Sequence, residues 1–389
     1  MSTKQKVIIL GAGVAGIRVA KDLPKLIKKS GIDIVLIDHN DYHQYLYRIH
    51  EVCNLEYKQK KITVSITRLI DNNRVLFKKN IVKDIDNNRK IVVTETGDES
   101  YDILIIALGS HPAYFNIEGI RENSLTLGSY QEAQVIRDRI NTLLKKSEII
   151  GKAPQIIIGG AGFTGVELAG ELTDSLPIWY QEHKIQRPKK LITVVEALST
   201  ILPGWNKELT QRGQEVLEQR GVEFFFNDPI VKVSQGKLEL KSGKVLETDL
   251  FIWTGGVACD PACGLNFELK NRRISVDEFC RAKGYEDIFV AGDMACTVNQ
   301  ENIPQPPTAH IATVQGNLVA HNVAAKLRGG SMDRYVFDKV GEIVTLGRTD
   351  AIGDLFGFHF TGVLAKFLKK VVHWWYLHSI GGFSLLFQN

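Results

Sequence analysis

Short apolar runs recur along this chain, and each ends on a small residue or an acid. Val7–Leu10 closes on Gly11, Ile34–Ile37 on Asp38, Ile103–Leu108 on Gly109 and Ile156–Ile158 on Gly159. Leu191–Val195 leads to Glu196, Leu250–Trp253 to Thr254, and Ile288–Ala291 to Gly292. Runs with little polar alternation are the pattern of strands covered on both faces, as in parallel sheets. Between them, Ile17–Leu23 and Val166–Leu172 follow helical spacing. Residues 225–250 alternate as short strands around turns such as Ser242–Gly243. Asp174–Lys190 lengthens the link to Glu196 and reads as an inserted helix and loop. Strands alternating with helices predict an α/β fold.

One strand–turn–helix unit occurs twice. Gly11, Gly13 and Gly16 follow the first strand, while Gly160, Gly162 and Gly165 follow its counterpart, both as G-x-G-x-x-G. A lone match is a weak signal, but each copy follows a buried-strand pattern, opens a helix and leads to a second strand ending in an acid. Those acids are Asp38 and Glu196. The first glycine makes the turn, the second lets backbone approach a pyrophosphate, and the third lets helix and strand pack closely. The acids would accept hydrogen bonds from ribose hydroxyls. Two such units imply two dinucleotides, and hydride transfer between nicotinamide and flavin is the usual reason to hold both. The expected architecture is therefore two Rossmann-like dinucleotide-binding domains, followed by a C-terminal segment of different character.

Composition adds mainly exclusions. The 389 residues are 44% hydrophobic and 24% charged, enough for two or three cores and unlike a disordered chain. A net charge of +4, from 48 basic and 44 acidic residues, is too mild to imply nucleic acid. The N-terminus has no secretory pattern. The five cysteines, Cys53, Cys259, Cys263, Cys280 and Cys296, contain no C-x-x-C and read as ordinary thiols. No metal site is expected.

The combination resembles a known family. Gly109 in Leu108–Ser110, Gly255 in Thr254–Gly256, and Gly292–Asp293 complete the pattern of two-dinucleotide flavoprotein reductases. Asn40–His43, Gly159–Gly165, Leu202–Gly204, Trp253–Gly256, Pro306–Ala309, Leu346–Arg348 and Ile380–Gly382 resemble type II NADH dehydrogenases, the single-subunit, non-pumping NADH:quinone oxidoreductases. The resemblance implies FAD on Gly11, Gly13, Gly16, Asp38 and Asp293, and NADH on Gly160, Gly162, Gly165 and Glu196. Gly109, Gly255 and Gly292 are further implied cofactor contacts. It implies a FAD-binding domain of residues 1–115 and 258–335, an NADH-binding domain of 116–257, and a C-terminal segment of 336–389. Glu167 matches a family glutamate near the nicotinamide–flavin–quinone junction, and Lys369 or Lys370 a basic residue near the quinone entrance. One departure stands out. The family's quinone signature, A-Q-x-A-x-Q, reads here Ala309-His310-Ile311-Ala312-Thr313-Val314-Gln315. His310 replaces the first glutamine; the second is either displaced to Gln315 or replaced by Val314. The alternatives to this function are a sulfide:quinone oxidoreductase-like flavoprotein, using Cys259, Cys263 and Cys296, and a flavin- and NADH-binding redox sensor.

The last segment bears on location. Val363, Leu364, Phe367, Leu368, Val371 and Val372 share one helical face, with Lys366, Lys369, Lys370 and His373 opposite and Trp374–Tyr376 following. A basic amphipathic helix beside aromatics predicts a helix lying in a membrane interface rather than crossing it. The expected place is the cytoplasmic side of the cell membrane, as a peripheral protein, with a homodimer left open.

Overall fold

The computed structural model describes residues 4–27, 31–56, 62–259, 267–299, 303–337 and 341–386. Its organisation is two five-stranded, wholly parallel sheets that correspond in four strands, counted from the central one; the fifth, an edge strand, comes last in sequence in the first sheet and ahead of the central strand in the second. In the first, Gln5–Leu10 lies at the centre, with Ile32–Asp38 and then Val75–Lys79 on one side. Ile103–Ile106 and then Ile288–Val290 lie on the other. In the second, Ile156–Gly159 is central, flanked by Ile192–Val195 and Val222–Phe225, and by Leu250–Trp253 and Leu125–Thr126. The central strands carry Val7–Leu10 and Ile156–Ile158 because both faces are covered, and all seven side chains are buried.

The duplication extends beyond the glycine motifs. An antiparallel meander lies between the third and fourth strands of each unit: Val82–Asp86, Ile91–Thr94 and Gly97–Ser100 in the first, and Ile230–Ser234, Lys237–Leu240 and Val245–Glu247 in the second. Only the second meander is legible as alternation. The inserted helix expected within 174–190 is absent; the glycine helix itself runs unbroken from Phe163 to Glu182. Pro177 removes one ladder bond, but Leu172, Leu176, Trp179 and Tyr180 are all buried, and their packing keeps the helix together.

The C-terminal segment holds a second departure. It begins with an antiparallel meander, Gly341–Thr345, Ala351–Leu355 and Phe358–Thr361, which no periodicity announces. A Cβ at Gly170 would lie 2.5 Å from the Gly347 nitrogen, so the turn after its first strand presses on the second glycine helix. The helix Gly362–Gly381 follows. It is amphipathic as expected, but Lys366, Lys369 and His373 turn into the protein, while Val363, Leu364, Phe367, Trp374 and Trp375 stand exposed. The expectation of a basic helix face turned to a membrane interface is thus corrected for Lys366 and Lys369; Lys370 remains outside. Among the described residues, no helix is long and apolar enough to cross a membrane.

Candidate functional site

The two glycine turns have nearly the same geometry. Gly11 and Gly160 have φ of +95° and +102°, a region that side chains disfavour. A Cβ there would meet the end of the unit's fourth strand, 2.2 Å from the Ala107 oxygen at Gly11 and 2.6 Å from the Gly255 Cα at Gly160. Gly16 and Gly165 press equally hard, their Cβ positions falling 1.8 and 2.0 Å from the Gly11 and Gly160 oxygens. At Gly13 and Gly162, the residues before each helix, a Cβ would meet nothing within 4 Å. Both helices therefore open onto free space with unpaired amides and a positive dipole end, which suits a pyrophosphate.

The acids match as well. Asp38 accepts the Ala12 N–H at 2.6 Å and the Asn40 N–H at 2.7 Å. Glu196 accepts the Ala161 N–H at 2.7 Å and the Leu198 N–H at 2.9 Å. A carboxylate has about four acceptor sites, so each keeps capacity for ribose hydroxyls.

At the edge of the first sheet, Asp293 accepts from the Ser110 hydroxyl at 2.7 Å, and burial raises its pKa. Gly292 and Gly109 both have positive φ, at +76° and +78°, and shape the turns beside it. Gln315 is held inside the protein. Fully buried on the helix Ala309–Arg328, it accepts the Gly292 N–H at 2.7 Å and donates to Thr297 Oγ1 at 2.9 Å. Both ends of its amide are engaged inside the protein, bracing the Gly292–Asp293 turn. His310 and Val314, four residues apart, share a partly exposed face of that helix, and Gln315 lies a further 100° round. Val314 is therefore the residue in register with His310. The helix is capped by Thr308, and the His310 ring lies 6.3 Å from that of Phe337.

Glu167 anchors a buried cluster at the start of the second glycine helix. Its Oε1 accepts from the Thr345 N–H and hydroxyl, each at 3.0 Å, and from Lys369 Nζ. Lys369 also donates to the Ile343 carbonyl at 3.0 Å. His50 Nδ1 lies 3.4 Å from Glu167 Oε2. Burial works to raise the Glu167 pKa, but Lys369 and His50 outweigh it, and the net shift is downward. Burial lowers the His50 pKa despite the neighbouring carboxylate. One turn on, Glu171 accepts from Asn54 at 2.8 Å and lies 3.6 Å from Arg348. No local sequence signal marks His50 or Thr345; they lie 295 residues apart and meet only through the fold. Among the described residues, no hydrogen bond joins His310 to this cluster, and no group of metal-ligating side chains occurs.

Burial pushes the Cys259 thiol up to about 12, and its Sγ donates to the Asp293 carbonyl at 3.2 Å. Cys53, Cys280 and Cys296 are buried free thiols, while Cys263 lies outside the described residues. A cavity of about 300 Å³ opens where the two units join, between Tyr114, Phe115, Arg121 and Arg272, and contains none of the site residues above.

Residues 5–316 match the pyridine nucleotide-disulphide oxidoreductase family. In structure, the chain is similar to NDH2 from Plasmodium falciparum in complex with NADH, with a TM-score of 0.85 at 19% identity over 99% of this chain and 97% of that one. It is also similar to the sulfide:quinone oxidoreductase of Aquifex aeolicus, with a TM-score of 0.79 at 18% identity over 97% and 91%. Those likenesses concern the fold. Sequence separates the two: the type II NADH:quinone oxidoreductase of Staphylococcus saprophyticus is 32% identical over 99% of this chain and 98% of its own. The enzyme of that name from Staphylococcus aureus is also 32% identical, over the same shares. With full-length similarity at that level, this chain belongs to the type II NADH:quinone oxidoreductase family.

Proposed function

We propose that this chain oxidises NADH and reduces a membrane quinone, with FAD held in the first unit and NADH in the second. The observation that carries this reading is the repeated cradle: an open helix start, a turn closed by strand four, and an acid with acceptor capacity left over. Residues 1–115 with 258–335 form the FAD-binding part, and residues 116–257 the NADH-binding part. Asp38 and Glu196 would take the two adenosine riboses, Asp293 the ribityl chain, and Gly109, Gly255 and Gly292 would line the approach. When bound, FAD supplies the two-electron relay that no side chain can carry.

The chain's own residues supply position and protons. The overall reaction takes NADH, a proton and a quinone to NAD and a quinol, so a proton must reach the quinone oxygens. Lys369 and Glu167 form a buried, hydrogen-bonded acid–base pair suited to that delivery. The C-terminal helix supports placing them at the junction of the two units. It carries Lys369 to Glu167 in the second unit and, about 10.5 Å further along, Tyr376 to the core of the first. His310, on the helix Ala309–Arg328, is the departure from the family pattern.

The outward stripe of the same helix supports membrane attachment. Val363 is 75% exposed and Trp375 59%, and Phe356 and Phe358 in the preceding turn are 72% and 70% exposed. Apolar area of this kind seeks a bilayer interface or a second copy of the chain. We favour the interface, on the cytoplasmic side, because the quinone substrate is itself confined to lipid. The sulfide-oxidising alternative is weakened by Cys259, whose raised pKa keeps it a poor nucleophile.

A visible spectrum tests the central reading. The purified protein should show flavin absorption, lose it on adding NADH without oxygen, and regain it on adding a quinone. A protein without flavin, or one that NADH leaves coloured, would overturn it.

A further inference from the structure

The two glycine turns share their acid contacts but differ at the carbonyl of the residue between the first two glycines. In the second, the Ala161 carbonyl accepts the backbone N–H of Leu202 at 2.8 Å, a contact within the unit. In the first, the equivalent Ala12 carbonyl is held by a side chain: His43 Nδ1 lies 2.8 Å from it. His43 Nε2 lies 2.9 Å from the hydroxyl of Tyr376 on the C-terminal helix. His43 and Tyr376 are both buried, at 1% and 6% exposure.

The chemistry fixes the direction of this chain. A carbonyl can only accept, so Nδ1 carries the proton. The ring is neutral, because burial lowers its pKa; Nε2 is then an acceptor, and the Tyr376 hydroxyl donates to it. Asp38 already holds the N–H of Ala12. The residue between Gly11 and Gly13 is thus held at both ends, at one of them from a helix 333 residues away from His43 in sequence.

We infer that Tyr376 is a positioning residue for the first glycine turn, acting through His43, so that docking of the C-terminal helix sets the flavin cradle and leaves the nicotinamide cradle untouched. The inference rests on assigning the first turn to FAD. Neither residue touches the dinucleotide; both act through the peptide that does. Because coupling is reciprocal, a flavin that orders the turn also holds the helix down.

The test uses the holoprotein and the variant Tyr376→Phe, which removes one oxygen. Amide exchange over Ala12–Gly16 should quicken about tenfold, as losing one buried hydrogen bond implies. Exchange over Ala161–Gly165 should not change. Release of flavin on dilution, followed by its recovered fluorescence, should quicken to a similar degree. Tyr47→Phe removes a hydroxyl that meets the same helix at His373 but does not lead to Ala12, and should leave both quantities as in the wild type. In a His43→Asn background, Tyr376→Phe should add nothing, since the relay is already cut. Unchanged exchange in Tyr376→Phe, additive effects in the double variant, or equal loosening by Tyr47→Phe would each overturn the inference. Faster exchange with unchanged flavin release would overturn the link to flavin and place the fault in the assignment of the first turn.

Discussion

The Lys369 ammonium donates a hydrogen bond to the Glu167 carboxylate, joining the C-terminal helix to the helix that follows the second glycine turn. The pair lies inside the protein, with side-chain exposures of 18% and 8%. Its removal should therefore be felt in chemistry and stability together. Glu167→Gln should lower quinone turnover by about 100- to 10,000-fold, the scale of lost proton-transfer catalysis, while reduction of flavin by NADH stays close to wild type. Stopped-flow measurement of the two half-reactions separates them. Equal slowing of both would remove Glu167 from the quinone side.

Lys369→Met should be the more destabilising change. It leaves the Glu167 charge buried without its hydrogen-bonded cation, at a cost of about 3–5 kcal/mol unless the carboxyl takes up a proton. Chemical denaturation should show the loss shrinking in acid, where protonation of Glu167 relieves it. A loss independent of pH would mean that Lys369 acts through packing alone.

NADH should be preferred over NADPH. Glu196 is committed to two backbone amides and cannot swing away without breaking both, so a 2′-phosphate would meet a fixed negative charge. Glu196→Gln keeps one acceptor oxygen and should narrow the ratio of kcat/KM for the two donors by about tenfold or more. Equal use of both donors by the wild type would refute this.

Gly13→Val and Gly162→Val should differ in effect. Neither meets protein, since both Cβ positions point into open space, so each should fold and lose only what lies in that space. Gly13→Val should be colourless or release its flavin readily; Gly162→Val should stay yellow and resist bleaching by NADH. Loss of flavin from both would show that the two cradles are wrongly assigned.

Acid should loosen the C-terminal helix. His373 accepts from Arg48 through Nε2 at 2.9 Å and meets Tyr47 through Nδ1 at 2.7 Å, and burial first, then Arg48, lowers its pKa to about 4. Its folded pKa lies below the unfolded value near 6.5, so unfolding binds a proton between those pH values, and stability falls as pH falls through that window. With partial exposure screening the effect, about 1–2 kcal/mol is expected. Melting curves from pH 7 to 4.5 should show a shallower decline in His373→Gln than in the wild type.

Membrane attachment should depend on the apolar stripe rather than on the lysines. Replacing Phe367, Trp374 and Trp375 together by Ser should release the protein from vesicles, at about 1.5–3 kcal/mol for each fully buried side chain. High salt should release the wild type only slightly, because Lys366 and Lys369 face inward. If the triple variant instead turns a dimer into a monomer with vesicle binding unchanged, the stripe is a subunit interface.

The glycine units are legible in the amino-acid sequence because their information is local. A turn needing positive φ at Gly11 and Gly160, a helix start and an acid one strand later are all set by spacing along a short stretch of chain, and Asp38 and Glu196 hold matching bonds as a result. The doubly covered strands follow from the same kind of signal. What only the tertiary structure decided is orientation. A helical period shows that Gly362–Gly381 has two faces, but not which one turns inward; that depended on Glu167, Tyr47, Arg48 and His43, brought from elsewhere in the chain to take up Lys369, His373 and Tyr376. Buried polar groups need partners, and here the partners outweighed the usual rule that the apolar face goes inside. The same holds at Gln315: the spacing left open whether it or Val314 continues the motif, and only the fold shows its amide bound to Gly292 and Thr297, with Val314 in register with His310.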